Sequence, residues 1–261
     1  MRTSTINHLV PVGLASAALA APALANAIVA TTARGAFIHV LADFPVGVGP
    51  FPTIILASGQ SYHMAMPALD QTAKQMVAQD IAVYRFNWAY FSEDAKLGLP
   101  SDDLSRELED LQTVIEIARN EPRVAQGQLA VGGKSLGSLV AWTALVADKS
   151  LRGGMFLTPI CSRVPEGHAQ AQDLSDENYP GLIKENRPLL FVAGDRDPLC
   201  APNVLYAAAQ KPGNARVAIV GGDHSFGNKA LNGPAQNAAL MRNVDLVARI
   251  SAHFVSEKFG N

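Results

Sequence analysis

One short segment, Gly133-Lys134-Ser135-Leu136-Gly137, constrains the fold of this chain more than any other. An apolar run ending at Val131 precedes it and a second apolar stretch, Leu136 to Ala147, follows it. The sequence therefore predicts a strand, a sharp turn and a helix, with a serine at the apex of the turn. One glycine stands two residues before Ser135 and another two residues after it. A side chain at either position would collide with the backbone, so the serine should be exposed at the helix N-terminus.

An acidic turn and a histidine follow two further predicted strands. The run Pro188 to Ala193 leads into the turn Gly194 to Pro198, and the run Ala215 to Val220 leads into a loop containing His224. Both loops should lie at the carboxyl edge of a parallel sheet, where open α/β sheets bind ligands. The chain order of serine, acid and histidine is that of α/β serine hydrolases. It predicts Ser135 as nucleophile and His224 as general base and acid.

Two aspartates, Asp195 and Asp197, compete for the role of orienting the histidine. Asp197 is favoured because it directly precedes Pro198 at the end of the turn, the arrangement that such acid loops resemble. Asp223 is adjacent to His224 in sequence. Neighbouring side chains on one turn diverge, which makes Asp223 a poor partner for the imidazole.

Hydrolysis through a serine also needs N–H groups that stabilise the negative oxygen of the tetrahedral intermediate, each worth about 2.7–4 kcal/mol. One is expected from Leu136, the residue after the nucleophile. The other is expected from Gln60, in the loop Ser58 to Ser61 after the predicted strand Phe51 to Ala57. Aromatic residues after two predicted strands are candidates to line a substrate pocket, ordinary loop contacts being the alternative. They are Tyr62, His63, Trp88 and Tyr90.

These segments resemble the α/β-hydrolase superfamily, in which the sharp turn that carries the nucleophile is called the nucleophile elbow. Within it they resemble the short dienelactone-hydrolase-like members, whose elbow has the sequence Gly-Gly-Lys-Ser, as Gly132 to Ser135 has here. The resemblance covers about residues 50–260. Two positions depart from that group. Ser58 stands where such proteins commonly carry histidine, and dienelactone hydrolases proper use cysteine where this chain has Ser135. The serine favours an ordinary carboxylic ester as substrate, and replacement of Ser58 by histidine is expected to be tolerated by the fold.

The expected fold is a doubly wound, mostly parallel sheet of about seven strands with helices on both faces. Residues 26–261 should form one such domain, with a small cap at about residues 160–187. Two alternative hypotheses to an esterase stay open. One is a peptidase or amidase that uses the same residues, and the other is a hydrolase-fold binding protein without turnover.

Composition narrows the choice of partners. The formal net charge is −2 over 261 residues, and no basic patch indicates nucleic acid. Gly133-Lys134-Ser135 also ends like a phosphate-binding loop, but Gln128 stands where such a loop needs glycine. No motif indicates a metal or another cofactor, so the expected partner is a small-molecule ester.

The N-terminal residues 1–25 have the pattern of a secretory signal peptide. No charged residue lies between Arg2 and Arg34, an apolar stretch runs from Leu9 to Ala21, and Ala23-Leu24-Ala25 offers a cleavage site. Cleavage there predicts a secreted or periplasmic protein without stable membrane insertion. An uncleaved anchor is the alternative, although the apolar stretch is shorter than the ~20 residues of a spanning helix.

The chain has two cysteines, Cys161 and Cys200. An even count and an oxidising compartment favour a disulfide between them. Both should follow the carboxyl ends of neighbouring strands, which would bring their Cα atoms within the roughly 4.4–6.8 Å that a disulfide requires. Because Cys200 is close to Asp197 in sequence, the bond would hold the acid loop. Two buried free thiols are the alternative.

Overall fold

A computed structural model of the protein describes residues 25–260, and the predicted signal peptide lies outside the described residues except for Ala25. The described part contains an eight-stranded sheet and a small two-stranded one. In chain order the strands are β1 (Ala25–Thr31), β2 (Phe37–Asp43), β3 (Phe51–Ala57), β4 (Ala82–Asn87), β5 (Val124–Lys134), β6 (Gly154–Leu157), β7 (Ser162–Arg163), β8 (Gln172–Asp173), β9 (Leu189–Gly194) and β10 (Ala215–Val220).

The helices connect the strands and cover both faces of the large sheet. In chain order they are α1 (Pro67–Val77), α2 (Ala89–Glu93), α3 (Ser105–Arg119), α4 (Leu136–Ala147), α5 (Ser175–Asn178), α6 (Pro202–Ala209) and α7 (Gly233–Phe259), with a 3-10 turn at Leu182–Lys184. Proline in the first turn helps to start α1, α6 and α7. Its fixed φ suits a helix, and the N–H group that it lacks would have no acceptor within the helix at that position.

The large sheet has the strand order β1-β2-β4-β3-β5-β6-β9-β10. The pairs from β4 to β10 are all parallel, whereas β1 pairs antiparallel with β2 and β2 pairs antiparallel with β4. The prediction of a mostly parallel sheet with helices on both faces is confirmed. The sheet has eight strands where about seven were expected.

Two apolar clusters fill the space between the sheet and its helices. One includes Leu111 of α3 and Val140 of α4, and the other includes Leu69 of α1 and Val247 of α7. Central strands face helices on both sides, so they are apolar runs without the alternation of a half-exposed strand. Each large aliphatic side chain buried in this way stabilises the fold by about 1.5–3 kcal/mol.

The segment proposed as a cap, residues 160–187, contains β7, β8, α5 and the 3-10 turn. It is joined to the core by Tyr179, which is 1% exposed. The Tyr179 ring meets Trp142 of α4 at 6.0 Å and Phe191 of β9 at 6.0 Å, both edge-on. Edge-on aromatic pairs add stability beyond the area they bury, so this part of the segment is packed into the domain. Among the described residues, no helix combines the length and apolarity needed to cross a membrane.

Candidate active site

The turn between β5 and α4 places Ser135 at the carboxyl edge of the sheet. Ser135 has φ 54° and ψ −119°, and α4 begins at the next residue. A Cβ atom added to Gly133 would lie 2.3 Å from the backbone of Gly137. A Cβ atom added to Gly137 would lie 2.5 Å from the carbonyl oxygen of Ala57. Side chains at both glycine positions would therefore collide with backbone atoms, which is the reason for the sequence pattern around the serine.

Ser135, His224 and Asp197 form a continuous hydrogen-bonded chain. The Oγ atom of Ser135 lies 2.7 Å from Nε2 of His224. Nδ1 of the same ring lies 2.9 Å from each carboxylate oxygen of Asp197. The side chain of Asp197 is fully buried, and it also accepts a hydrogen bond from the N–H of Leu199 at 2.9 Å. A buried carboxylate on Nδ1 leaves Nε2 free to accept a proton from the serine.

The other two aspartates near the histidine bind the main chain instead. Asp195 accepts a hydrogen bond from the Gly222 N–H at 2.7 Å, and its side chain is 46% exposed. Asp223 accepts from the N–H groups of Ser225 and Gly227 at 2.9 and 3.0 Å. Both residues therefore stabilise the loops around the site without contacting the imidazole.

The loop after β3 passes next to the serine. A Cβ atom added to Gly59 would lie 3.4 Å from Cβ of Ser135 and 3.3 Å from the carbonyl oxygen of Lys134. Within residues 25–260, the N–H groups of Gln60 and Leu136 donate to no protein acceptor. The role of both groups as oxyanion donors stays a prediction.

Ser58 fixes the start of this loop through two hydrogen bonds. Its hydroxyl donates to the carbonyl of Phe86 at 2.6 Å, and its own carbonyl accepts from Nε1 of Trp88 at 2.9 Å. Ser58 is 1% exposed. This burial argues against the expectation that the fold tolerates histidine at this position, because the imidazole would have to displace buried neighbours.

Two of the four candidate pocket residues are buried in the core. Trp88 is 1% exposed, and its role as a pocket-lining residue is wrong because its ring packs edge-on against Phe86 at 4.8 Å. Tyr62 is 9% exposed, and its hydroxyl accepts from the N–H of Ala68 in α1. Burial raises the pKa of Tyr62 to about 12. It supports the loop from inside instead of lining a pocket.

The other two candidates lie nearer the surface. His63 is half-buried, and its ring lies 6.2 Å from that of Phe91. Tyr90 is also half-buried, and burial of its hydroxyl and the nearby acids Glu107 and Asp110 raise its pKa. His63, Tyr90 and Phe91 therefore remain partly open to solvent.

Arg85 and Asn87 hold the loop that follows Gln60. The guanidinium of Arg85 donates to the Met64 carbonyl at 2.9 Å and to the carboxylates of Asp43 and Asp70. Oδ1 of Asn87 accepts from the Met64 N–H at 2.8 Å. Both polar groups of the Met64 main chain are therefore fixed by side chains of β4. This anchor was not predicted from the sequence.

Lys134, next to the serine, is the functional candidate that sequence analysis missed. It is 2% exposed, and its Nζ atom donates to the carbonyl oxygen of His224 at 3.0 Å. Nζ also lies 4.6 Å from the centre of the Tyr62 ring. Burial lowers the pKa of Lys134 to about 8, although the charges of Asp197 and Asp223 act against this shift. The available signal was a lysine at the end of an apolar strand.

A disulfide joins Cys161 and Cys200, whose Cα atoms are 4.7 Å apart. Beside it, the N–H groups of Cys161 and Ser162 both donate to the carbonyl of Leu199, at 3.0 and 2.9 Å. The loop that carries Asp197 is therefore tied covalently and by hydrogen bonds to the start of the 160–187 segment.

A second connection runs from that segment to the serine itself. Ser138 donates to the carbonyl of Ser135 at 2.6 Å, so its oxygen accepts the hydrogen bond from the Tyr179 hydroxyl at 2.8 Å. The N–H of Ile160 donates to the Tyr179 oxygen at 3.0 Å. This chain of hydrogen bonds connects residues 160–187 to the main chain of Ser135 and holds the elbow in place.

Across residues 25–260, no group of three or more histidine, cysteine, aspartate and glutamate side chains is placed to hold a metal ion.

The fold and the site together define the class of α/β hydrolases. The sheet is mostly parallel, a serine lies at a strand-to-helix turn, and an acid and a histidine from later strands lie next to it. Residues 51–252 match the alpha/beta hydrolase domain family, and the chain belongs to that family.

Solved structures share the fold at low sequence identity. A serine hydrolase homologue from Coxiella burnetii has a TM-score of 0.65 at 17% identity, covering 86% of this chain and 96% of that one. Est1E from Butyrivibrio proteoclasticus has a TM-score of 0.66 at 14% identity, with coverage of 90% and 99%. An esterase from Pyrococcus furiosus has a TM-score of 0.66 at 16% identity, with coverage of 91% and 92%.

Proposed function

We propose that this protein is a serine hydrolase that cleaves carboxylic esters through an acyl-enzyme intermediate. The observation that carries the proposal is the hydrogen-bonded chain from Ser135 through His224 to Asp197, with contacts of 2.7 and 2.9 Å. A nucleophile, a base on one side of the ring and a buried acid on the other are the parts that acyl transfer needs.

In the proposed reaction, the Ser135 oxygen attacks the ester carbonyl while Nε2 of His224 takes the hydroxyl proton. Asp197 holds the imidazole in the required tautomer and stabilises its charged form. The N–H groups of Gln60 and Leu136 stabilise the oxyanion. His224 then passes the proton to the leaving alcohol, and a water molecule activated by the same histidine releases the acid and restores Ser135.

Relatives of the same fold support an ester as the substrate. One of the similar structures is an esterase by name, and Est1E has also been solved with ferulic acid bound. A serine nucleophile in a Gly-Gly-Lys-Ser elbow supports an ordinary ester over the dienelactones that cysteine enzymes of the resembling group cleave. We also propose that the protein is exported, since the N-terminal pattern and the disulfide both suit an oxidising compartment.

A fluorophosphonate probe tests the chemistry directly. The purified wild type should be labelled at Ser135, and Ser135→Ala should remain unlabelled. A series of p-nitrophenyl esters of increasing acyl length, compared with the matching anilide, then separates esterase from amidase activity. A folded wild type that neither reacts with the probe nor hydrolyses any ester would instead favour a binding protein without turnover.

A further inference from the structure

Lys134 carries a buried charge that the proposed reaction does not use. The residue is 2% exposed, although it directly precedes Ser135. Taking an ammonium group out of water is costly, so a lysine is rarely buried unless its charge is compensated. A buried ammonium group beside a proposed nucleophile therefore indicates that the charge has a role in the site.

The contacts of Lys134 lead to the histidine and not to the serine. Its Nζ atom donates to the carbonyl oxygen of His224 at 3.0 Å and faces the Tyr62 ring at 4.6 Å from its centre. An ammonium over an aromatic face is attracted by the ring's negative centre, most strongly when both are shielded from water. The ring of Tyr62 thus holds the ammonium in place while the ammonium holds the histidine main chain.

No other side chain in residues 25–260 binds the main chain of His224. The remaining bonds of its loop involve its neighbours. Asp223 binds the N–H groups of Ser225 and Gly227, and Asn243 donates to the carbonyl of Phe226. Lys134 is therefore the contact that ties the histidine directly to β5. Because Ser135 follows Lys134 in the chain, the same strand end fixes both partners of the 2.7 Å contact.

We propose that Lys134 is a positioning residue whose ammonium group fixes the backbone of His224, so that the imidazole reaches Ser135 and Asp197 at the same time. This inference rests on the proposed function, since the geometry it preserves matters only if Ser135 reacts. Displacement of a catalytic group by about 1 Å lowers turnover by about 100-fold.

The charged state of Lys134 adds a pH dependence. The groups that face it are Asp197 after β9, Asp223 and His224 after β10, and Tyr62 after β3. Burial lowers the pKa of Lys134 to about 8, so the ammonium loses its proton in mildly alkaline solution. The neutral amine is a weaker donor and is not held by the ring. Turnover at saturating substrate should therefore fall as the pH rises past about 8.

Three single variants test the inference with a p-nitrophenyl ester. We expect Lys134→Met to lower kcat by about 100-fold with little change in KM. Lys134→Arg keeps a permanent charge, so the activity that it retains should not decline above about pH 8. Lys149→Met is the matched control, because Lys149 is exposed in the turn that follows the far end of α4, and it should behave as the wild type.

Several results would overturn the inference. They are a wild-type kcat in Lys134→Met, an alkaline decline in Lys134→Arg equal to that of the wild type, or a wild-type kcat that stays level from pH 7 to 9.5 after correction for uncatalysed hydrolysis. If Lys134→Met does not fold, Lys134→Gln replaces it, and full kcat in that variant also counts against the role of the charge. A wild type without ester turnover or probe labelling refutes the proposed function itself, which keeps the two failures distinct.

Discussion

At Ser135 the backbone takes a left-handed φ of 54°, a conformation that costs a residue with a side chain about 1–3 kcal/mol. The surrounding glycines make it attainable by allowing the strand and the helix to approach. The cost of the turn is offset by the helix and strands packed around it, and the serine oxygen is held where His224 can reach it. Single residues in this turn should therefore affect folding and reactivity together.

Alanine at Gly137 tests this close approach. Its Cβ atom would lie 2.5 Å from the Ala57 carbonyl and 2.6 Å from that of Ser58, and neither backbone atom can move without distorting β3 or the following loop. We expect Gly137→Ala to lower the free energy of unfolding by at least about 1–3 kcal/mol, measured by chemical denaturation. Gly127→Ala, in the same strand-and-helix unit but with no atom within 4 Å of the new Cβ, is the control and should be neutral. Equal stability of the two variants would contradict the argument.

The two aspartates of the acid turn should differ sharply in activity. Asp197→Asn removes the charge that holds the histidine tautomer and should lower kcat by about 10⁴-fold. Asp195→Asn should have a small effect, because Asp195 is half-exposed and its partners are the Gly222 N–H and the Arg196 guanidinium, not the imidazole. Steady-state kinetics of both variants on one ester decide the matter. A severe loss in Asp195→Asn with a mild one in Asp197→Asn would reverse the assignment.

At this scale, the residues that could be predicted from the sequence are those whose type and order along the chain indicate a catalytic site. Ser135 and His224 follow apolar runs, and Gly133 and Gly137 mark a turn that admits no side chain. The burial of Lys134 and Ser58 could not be predicted, because a lysine or serine at a strand end looks the same whether its partner is water or a distant carbonyl. Trp88 was misplaced for the converse reason, since an aromatic residue after a strand fits a pocket and a core equally well.

At the scale of elements, the site depends on loops that are held by elements distant in sequence. The acid loop is bonded to Cys161 and Ser162, and the loop after Gln60 is bonded to β4 through Arg85. Inside α3, Glu107 and Asp110 are buried, at 2% and 0% exposure. The N–H of Ala89 and the guanidinium of Arg34 bind Asp110. Helical periodicity predicts apolar faces, but it contains no information about acids that turn inward to reach partners from other elements.

Removal of the disulfide should destabilise the protein. The bond spans 39 positions, for which the chain-entropy estimate is about 3–4 kcal/mol. We expect the Cys161→Ser, Cys200→Ser double variant to lose a free energy of unfolding of this order in denaturant titrations. The intact mass of the wild type, alkylated without prior reduction, checks the starting state. Two alkyl groups on that protein would show free thiols and contradict the prediction.

At the scale of the whole molecule, the arrangement of layers was the most predictable feature, because apolar runs separated by amphipathic stretches admit few alternatives to a parallel sheet between helices. The first strand, β1, was not expected. It lies at the antiparallel end of the sheet, and although Ala27 to Ala30 is an apolar run, Val29 within it is 63% exposed.

At alkaline pH, the contribution of Lys134 to the stability of the whole molecule should change in the direction opposite to its contribution to activity. Burial lowers the pKa of Lys134 from 10.5 to about 8, so the unfolded chain binds more protons than the folded one between those two pH values. The contribution of Lys134 to the free energy of unfolding therefore rises with pH in this window and is flat below about pH 8. From pH 8 to 9.5 the rise should be about 2 kcal/mol.

The difference between wild type and Lys134→Met in denaturant titrations isolates this effect, because other titrating groups contribute to both proteins. The wild type should gain stability relative to the variant as the pH is raised from 8 to 9.5. A constant difference would mean that Lys134 keeps its proton throughout the range.

The hydrogen bonds from Ser135 through Ser138 and Tyr179 to Ile160 also mean that parts of the 160–187 segment should differ in how well they tolerate sequence changes. Changes at Ile160 or Tyr179 reach the elbow directly, whereas the turn between Arg163 and Gln172 is mostly exposed and joins only a short hairpin. Insertions into that turn should therefore leave the main chain of Ser135 in place, whereas changes at Tyr179 should disturb it.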